Sequence, residues 1–172
     1  MCCRPSSASI SISARECSAA RRGPEPLDPF DLGRFVDAQA PLYREALAEL
    51  RRGHKQGHWM WFVFPQIAGL GSSAMARHYA IASAAEARSY LEHPVLGPRL
   101  RECTAAVLAH KDKGAEEVFG EIDTLKLRSS MTLFAAVAEP GSPFERCLLG
   151  FFGGAPDPAT LRLLVEEGSA EV

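Results

Sequence analysis

The sequence predicts an all-α protein, a single compact domain of roughly six to eight short helices with one aromatic extended or loop segment near residues 58–66. Three observations carry this. Apolar residues recur at steps of three and four along most of the chain after Phe30. Helix-start residues precede several of those runs. Only Trp59 to Phe64 has a strand-like composition, and one short run cannot build a sheet.

Residues 1–27 are set apart by composition. They are rich in Ser, Ala and Arg (Arg4, Arg15, Arg21, Arg22), with Glu16 and Glu25 as their acids, and Ile10 and Ile12 alternate with serines. They are predicted to be a disordered N-terminal arm ahead of a helical globular domain over 28–172. Without a continuous apolar stretch a secretory signal is not expected, so the expected location is the cytoplasm. The same Arg- and Ser-rich bias is that of an organelle transit peptide, which would redirect the protein if the arm acts as one. Pro24, Pro26 and Pro29 stiffen the boundary.

The first predicted helix places Leu32, Phe35, Val36, Gln39, Tyr43, Ala46, Leu47 and Leu50 on one stripe and ends at Gly53. Pro41 predicts a kink or a break into two helices. Ser73 caps a short helix through Tyr79, and Ser83 with Glu86 has capping-box spacing for another through Leu91. Pro94 or Pro98 opens a longer helix with Leu96, Leu100, Cys103 and Val107 inward. Asp123 or Thr124 starts the next, with Leu127, Met131, Phe134 and Ala138 inward. Ser142-Pro143-Phe144-Glu145 is a second capping box, and Asp157-Pro158 opens a final helix closing at Gly168.

Composition narrows the partners. The chain has 172 residues, 47% hydrophobic and 23% charged, with a net charge of −2. That balance makes no case for nucleic acid, and no run of about eighteen apolar residues offers a membrane span. Any anion site must therefore be local. Of the 5 cysteines, Cys103 and Cys147 have apolar neighbours at helical spacing and read as small buried thiols. Neither paired-Cys spacing nor a His-Glu-x-x-His pattern is present, so no metal is expected. Nor is there a nucleophile elbow, a Walker loop or a dinucleotide fingerprint, and no cofactor is expected.

Four motifs carry a resemblance: His58-Trp59-Met60-Trp61-Phe62-Val63-Phe64-Pro65-Gln66, Gly69-Leu70-Gly71-Ser72, His93-Pro94-Val95-Leu96-Gly97 and Lys126-Leu127-Arg128-Ser129-Ser130-Met131-Thr132. Over roughly Asp31 to Thr160 the chain resembles an uncharacterised, mainly helical bacterial family of unknown function. Its members often carry the label calpastatin, which no motif here supports. The resemblance implies a helical fold and no established activity. More faintly, the order of Arg77-His78-Tyr79 and Phe119-Gly120-Glu121-Ile122-Asp123 is similar to that of helical N-glycosidases acting on ADP-ribose and riboflavin intermediates. Here Arg77 stands where those proteins carry a Glu, and most of their glycines are missing.

Each chemistry-bearing group has two readings. The aromatic segment is either a core plug or a ligand wall, and an extended backbone would put Trp59, Trp61 and Val63 on one face. His58, at the polar edge of that segment, is a candidate acid, base or hydrogen-bond donor. In a helix starting near Asp123, Lys126, Ser129 and Ser130 fall at i, i+3 and i+4 and offer an ammonium and two hydroxyls to a phosphate or carboxylate. The structural reading of the same residues is a capped, salt-bridged, closely packed helix.

Two functions follow. In the first, the domain binds a small anionic, nucleotide-like ligand and hydrolyses an N-glycosidic bond. Trp59 or Trp61 stacks on a ring, Tyr79 stacks or donates, and Arg77, Lys126, Arg128, Ser129 and Ser130 hold phosphate. His58 and Asp123 are then the catalytic pair, His58 donating to the leaving group and Asp123 steadying oxocarbenium charge or orienting water. In the second, the domain is a non-catalytic structural or protein-interaction unit whose motifs are its core. Convergence of His58, Arg77 and Lys126 on one concave surface separates the two.

Overall fold

The first helix, α1 (Gly33–Arg52), runs unbroken through Pro41 and closes at Gly53 in the left-handed conformation. Pro41 is on the solvent face, where the missing N–H leaves a carbonyl that water can satisfy. Leu32, Phe35, Gln39, Ala46, Leu47 and Leu50 are buried along the expected stripe. The computed structural model describes residues 28–170, so the predicted arm over 1–27 lies outside the described residues.

After α1 come α2 (Met60–Val63), α3 (Ala74–His78), α4 (Ala84–Glu92), α5 (Leu96–Leu108), α6 (Ala115–Phe119), α7 (Glu121–Val137), α8 (Pro143–Phe152) and α9 (Pro158–Ala170). The all-α expectation holds, but the described residues form nine helices where six to eight were expected, the single turns α2 and α6 being among them. A parallel bridge between Ile67 and Ile81 closes the loop that carries α3. No helix among the described residues is long and apolar enough to cross a membrane.

The start signals act as their chemistry requires. Ser73, Ser83 and Ser142 accept from the backbone N–H groups of Ala76, Glu86 and Glu145, and Asp157 accepts from that of Thr160. At α5 the cap is a ring: His93 Nδ1 accepts from the N–H groups of Val95 and Leu96.

Three expectations are corrected. The aromatic segment is neither extended nor a loop, because residues Met60–Val63 form a helical turn. Helical spacing buries Met60, Val63 and Phe64 together and leaves Trp61 alone at the surface side. Buried Gln39 and Tyr90 both donate to the free carbonyl of Phe62, at 2.7 and 3.3 Å, satisfying a backbone group that water cannot reach. The helix predicted to start at Asp123 or Thr124 starts at Glu121, after Gly120 at φ 76. The last helix passes Gly168 and runs to Ala170.

Helix α7 is the hub. It packs on α4, α6, α8 and α9, while α5 packs on α1, α4 and α8. Leu127, Met131, Leu133 and Phe134 of α7 are fully buried. An aromatic chain crosses the core from Phe35 to Tyr90 (5.1 Å), Phe134 (5.3 Å) and Phe144 (5.7 Å). Cys103 and Cys147 are buried free thiols, and burial pushes each up to about 12, so neither is a thiolate at neutral pH.

Candidate functional site

Between the end of α1 and the start of α2, residues 53–59 form an irregular turn tied to α6 by the Lys55 N–H on the Val118 carbonyl and to α7 by the Lys55 side chain on Asp123. A buried carboxylate organises this turn. Glu49, 2% exposed, accepts from the N–H groups of Gln56 (2.7 Å) and Gly57 (2.9 Å) and from the indole N–H of Trp59 (2.9 Å). Burial pushes the Glu49 carboxyl up, but those three donors and the Lys55 charge outweigh it and hold it below its ordinary value. Only glycine fits at position 57, because an added Cβ would stand 2.6 Å from the Trp59 ring. Trp59 is thereby locked in the core at 1% exposure.

The turn delivers Lys55 to α7. Lys55 Nζ lies 2.6 Å from Asp123 Oδ2, and Lys126 Nζ lies 2.7 Å from Asp123 Oδ1. These side chains are only 8, 18 and 21% exposed for Lys55, Asp123 and Lys126, so their charges are poorly screened. Partial burial pushes Asp123 up, yet the hydrogen bonds and charges of Lys126 and Lys55 hold it below its ordinary value. Two ammonium groups against one carboxylate leave a net positive charge. Lys126 also stands 4.6 Å over the ring of half-buried Trp61.

This triad lines a cleft of about 450 Å³, with His58 and Trp61 on one side and Phe119, Gly120, Glu121 and Ile122 on the other. Among the described residues no side chain caps the first turn of α7, so its N–H groups and partial positive charge face the same region. Glu121 is exposed at the rim, where water screens it. A second cleft of about 480 Å³ adjoins the first and shares Trp61, Ile122 and Lys126 with it.

Four predicted site residues therefore meet in one cleft: His58, Trp61, Asp123 and Lys126. Ser129 is in the adjoining one, buried, with its hydroxyl 3.2 Å from Asp157 Oδ2. The others are elsewhere. Trp59 is core, and Ser130 is fully buried with its hydroxyl unpartnered among the described residues. Arg128 donates to the carbonyls of Ala155 and Pro156, both at 3.0 Å. Exposed Arg77 donates to the Ser72 carbonyl and lines neither cleft. Tyr79 seals the core edge against Phe35 and Phe62. Of the convergence proposed for His58, Arg77 and Lys126, the structure has the first and third.

Sequence reasoning missed Lys55 and Glu49. Lys55 meets Asp123 only through the tertiary fold, and no local spacing announces it. Glu49 carried a faint signal, an acid beside the apolar stripe of α1.

The fold and clefts define a one-domain helical protein with a lysine-flanked carboxylate at the mouth of its central helix. The chain belongs to the family described as protein of unknown function (DUF1810), which matches residues 29–164. It is similar to a solved structure, the conserved hypothetical protein Rv1873 from Mycobacterium tuberculosis. The two are 54% identical, the match covers 80% of this chain and 99% of that one, and the TM-score is 0.79. No curated protein matches the chain.

Proposed function

We propose that the domain binds a small anionic, nucleotide-like ligand in the cleft between residues 55–61 and the start of α7. The observation that carries this reading is the Lys55–Asp123–Lys126 triad beside Trp61. Lys55 also braces its own turn by donating to the Gly57 carbonyl at 2.7 Å, but a single pair would satisfy Asp123, so Lys126 brings a surplus positive charge to the cleft. The second cation and the N–H groups of α7 supply what a phosphate or carboxylate needs. Trp61 offers a ring face beside them, and a planar ligand group can take the place that Lys126 now occupies over it.

The geometry favours binding over N-glycosidic hydrolysis. Both oxygens of Asp123 already face ammonium groups, which blunts the charge an oxocarbenium ion would need. The alternative, a non-catalytic interaction domain, draws on the exposed Ile122 (70%) and Leu125 (62%) beside the cleft. It leaves the triad unexplained.

A thermal-shift screen with inorganic phosphate, pyrophosphate, adenosine monophosphate and ribose 5-phosphate tests the reading. A ligand of the native state raises the unfolding midpoint by mass action, and the shift should shrink as added salt supplies anions that compete for the cleft. No shift with any of the four overturns it.

A further inference from the structure

The second cleft differs from the first in the chemistry it offers. Its polar groups include the Gln66 side-chain amide and the carboxylate of Asp157, set among Leu70, Leu125 and Ala159. Asp157 Oδ2 is fully used, accepting from the N–H of Thr160 (2.9 Å), the hydroxyl of Thr160 (2.7 Å) and the hydroxyl of Ser129 (3.2 Å). Asp157 Oδ1 and the Gln66 amide have no hydrogen-bond partner among the described residues. Both belong to half-buried side chains beside an open volume. Asp157 is also held in place from its backbone, whose N–H donates to Thr132 Oγ1 at 2.8 Å.

Lys55 lines only the first lobe, Lys126 stands where the two meet, and Asp157 lines only the second, so ammonium groups lead at one end and a carboxylate stands at the other. A polyanion lying along both lobes would meet Asp157 with like charge, so the anion belongs to one end of the ligand only. The other end must present hydrogen-bond donors, because a carboxylate only accepts. Vicinal ribose hydroxyls are such donors, and carboxylates recognise them elsewhere by the same bond. The apolar walls and Trp61 between the lobes suit the flat face of a base.

Resting on the anion-binding reading above, we propose that the ligand is a nucleoside monophosphate. Its phosphate is held by Lys55 and Lys126, and its ribose diol is read by Asp157 and Gln66. Trp61 is the divider against which the nucleoside lies.

Calorimetric titration of the full chain with adenosine monophosphate, its 2′-deoxy analogue and inorganic phosphate tests this. Adenosine monophosphate should bind tightest, and loss of the 2′-hydroxyl should weaken it about tenfold, the lower end for a hydrogen bond to a charged group. Asp157→Asn keeps a good N-cap and removes the charge. Gln66→Met keeps the bulk and removes the amide. Each variant should weaken adenosine monophosphate about tenfold and leave inorganic phosphate unchanged. If the nucleotide binds no tighter than phosphate, or ignores both substitutions, the diol assignment is overturned while the anion site stands. If neither phosphate nor nucleotide binds, the anion site falls and this proposal falls with it.

Discussion

In the first turn of α7, Asp123 and Lys126 pair with one another and with Lys55 at the wall of an open cleft. One to two turns further on, Arg128 and Thr132 are consumed by the segment over residues 155–157. Arg128 holds the carbonyls of Ala155 and Pro156, and Thr132 accepts from the N–H of Asp157. Both stretches are rich in polar side chains, and by sequence they form one cluster. Their neighbours separate them: the first turn borders an open cleft, whereas Arg128 and Thr132 are bonded to residues 155–157 just before α9. The facing segment divides the same way. Trp59 is locked to Glu49 in the core, and Trp61, two residues on, is a half-exposed wall of the cleft. A polar or aromatic residue is free for a ligand only where the fold has not already used it.

The division should be visible first in stability. Trp59→Ala should cost about 3–5 kcal/mol by urea unfolding, from lost burial and a residual cavity. Trp61→Ala should cost clearly less, since its ring is already partly in water. Equal losses would erase the distinction between the two tryptophans.

A smaller effect sharpens the contrast within α7. Thr132→Val keeps the shape but strands the Asp157 N–H, at a cost of about 1–3 kcal/mol. Lys126→Met keeps most of its stem packing and leaves Asp123 paired with Lys55, so it should cost about 1 kcal/mol. The reverse ranking in denaturant midpoints would mean that the first turn, not the middle, braces the fold.

Acid titration probes the turn beneath the cleft. Glu49 and Asp123 have folded values below their ordinary 4.5 and 3.8, so the unfolded chain binds more protons in that range. Their stabilisation is complete above pH 4.5 and is lost as pH falls through the depressed values. Glu49→Gln should lower stability at pH 7 and flatten the acid limb of the stability curve. An unchanged acid limb would remove Glu49 as organiser of residues 53–59.

The smallest expected effect has the opposite sign. Ser130 Oγ is buried and unpartnered among the described residues, so Ser130→Ala should be neutral or stabilise by up to about 1 kcal/mol. A loss of stability or of ligand binding would show that this hydroxyl has a use.

What the sequence revealed follows from the range of the interactions. The stripe Leu96, Leu100, Cys103, Val107 and the caps at Ser73, Ser83, Ser142 and Asp157 are set within one or two turns, and they were legible. The aromatic segment was misread because a run that is apolar at every position has no period to betray it. Its helical turn depends on Gln39 and Tyr90, distant residues that satisfy the Phe62 carbonyl. The pairing of Asp123 with Lys126 lies within a turn and was visible, but Lys55 reaches Asp123 only through the Glu49-held loop. Arg128 and Ser130 belong to a specific motif, and specificity of sequence did not distinguish a docking surface from a ligand site.

Lys126→Met and Arg128→Met, compared in one experiment, test the account most directly. Each removes one positive charge from α7, and each would be read for urea midpoint and for calorimetric affinity toward adenosine monophosphate. The expected result is a crossed pattern. Lys126→Met unfolds nearly like the unaltered protein and loses most of its affinity. Arg128→Met, having given up two carbonyl contacts, loses stability and keeps its affinity. If Arg128→Met abolishes binding while Lys126→Met leaves it intact, the cleft at the start of α7 is not the site, and the division of this helix into a free turn and a committed one is wrong.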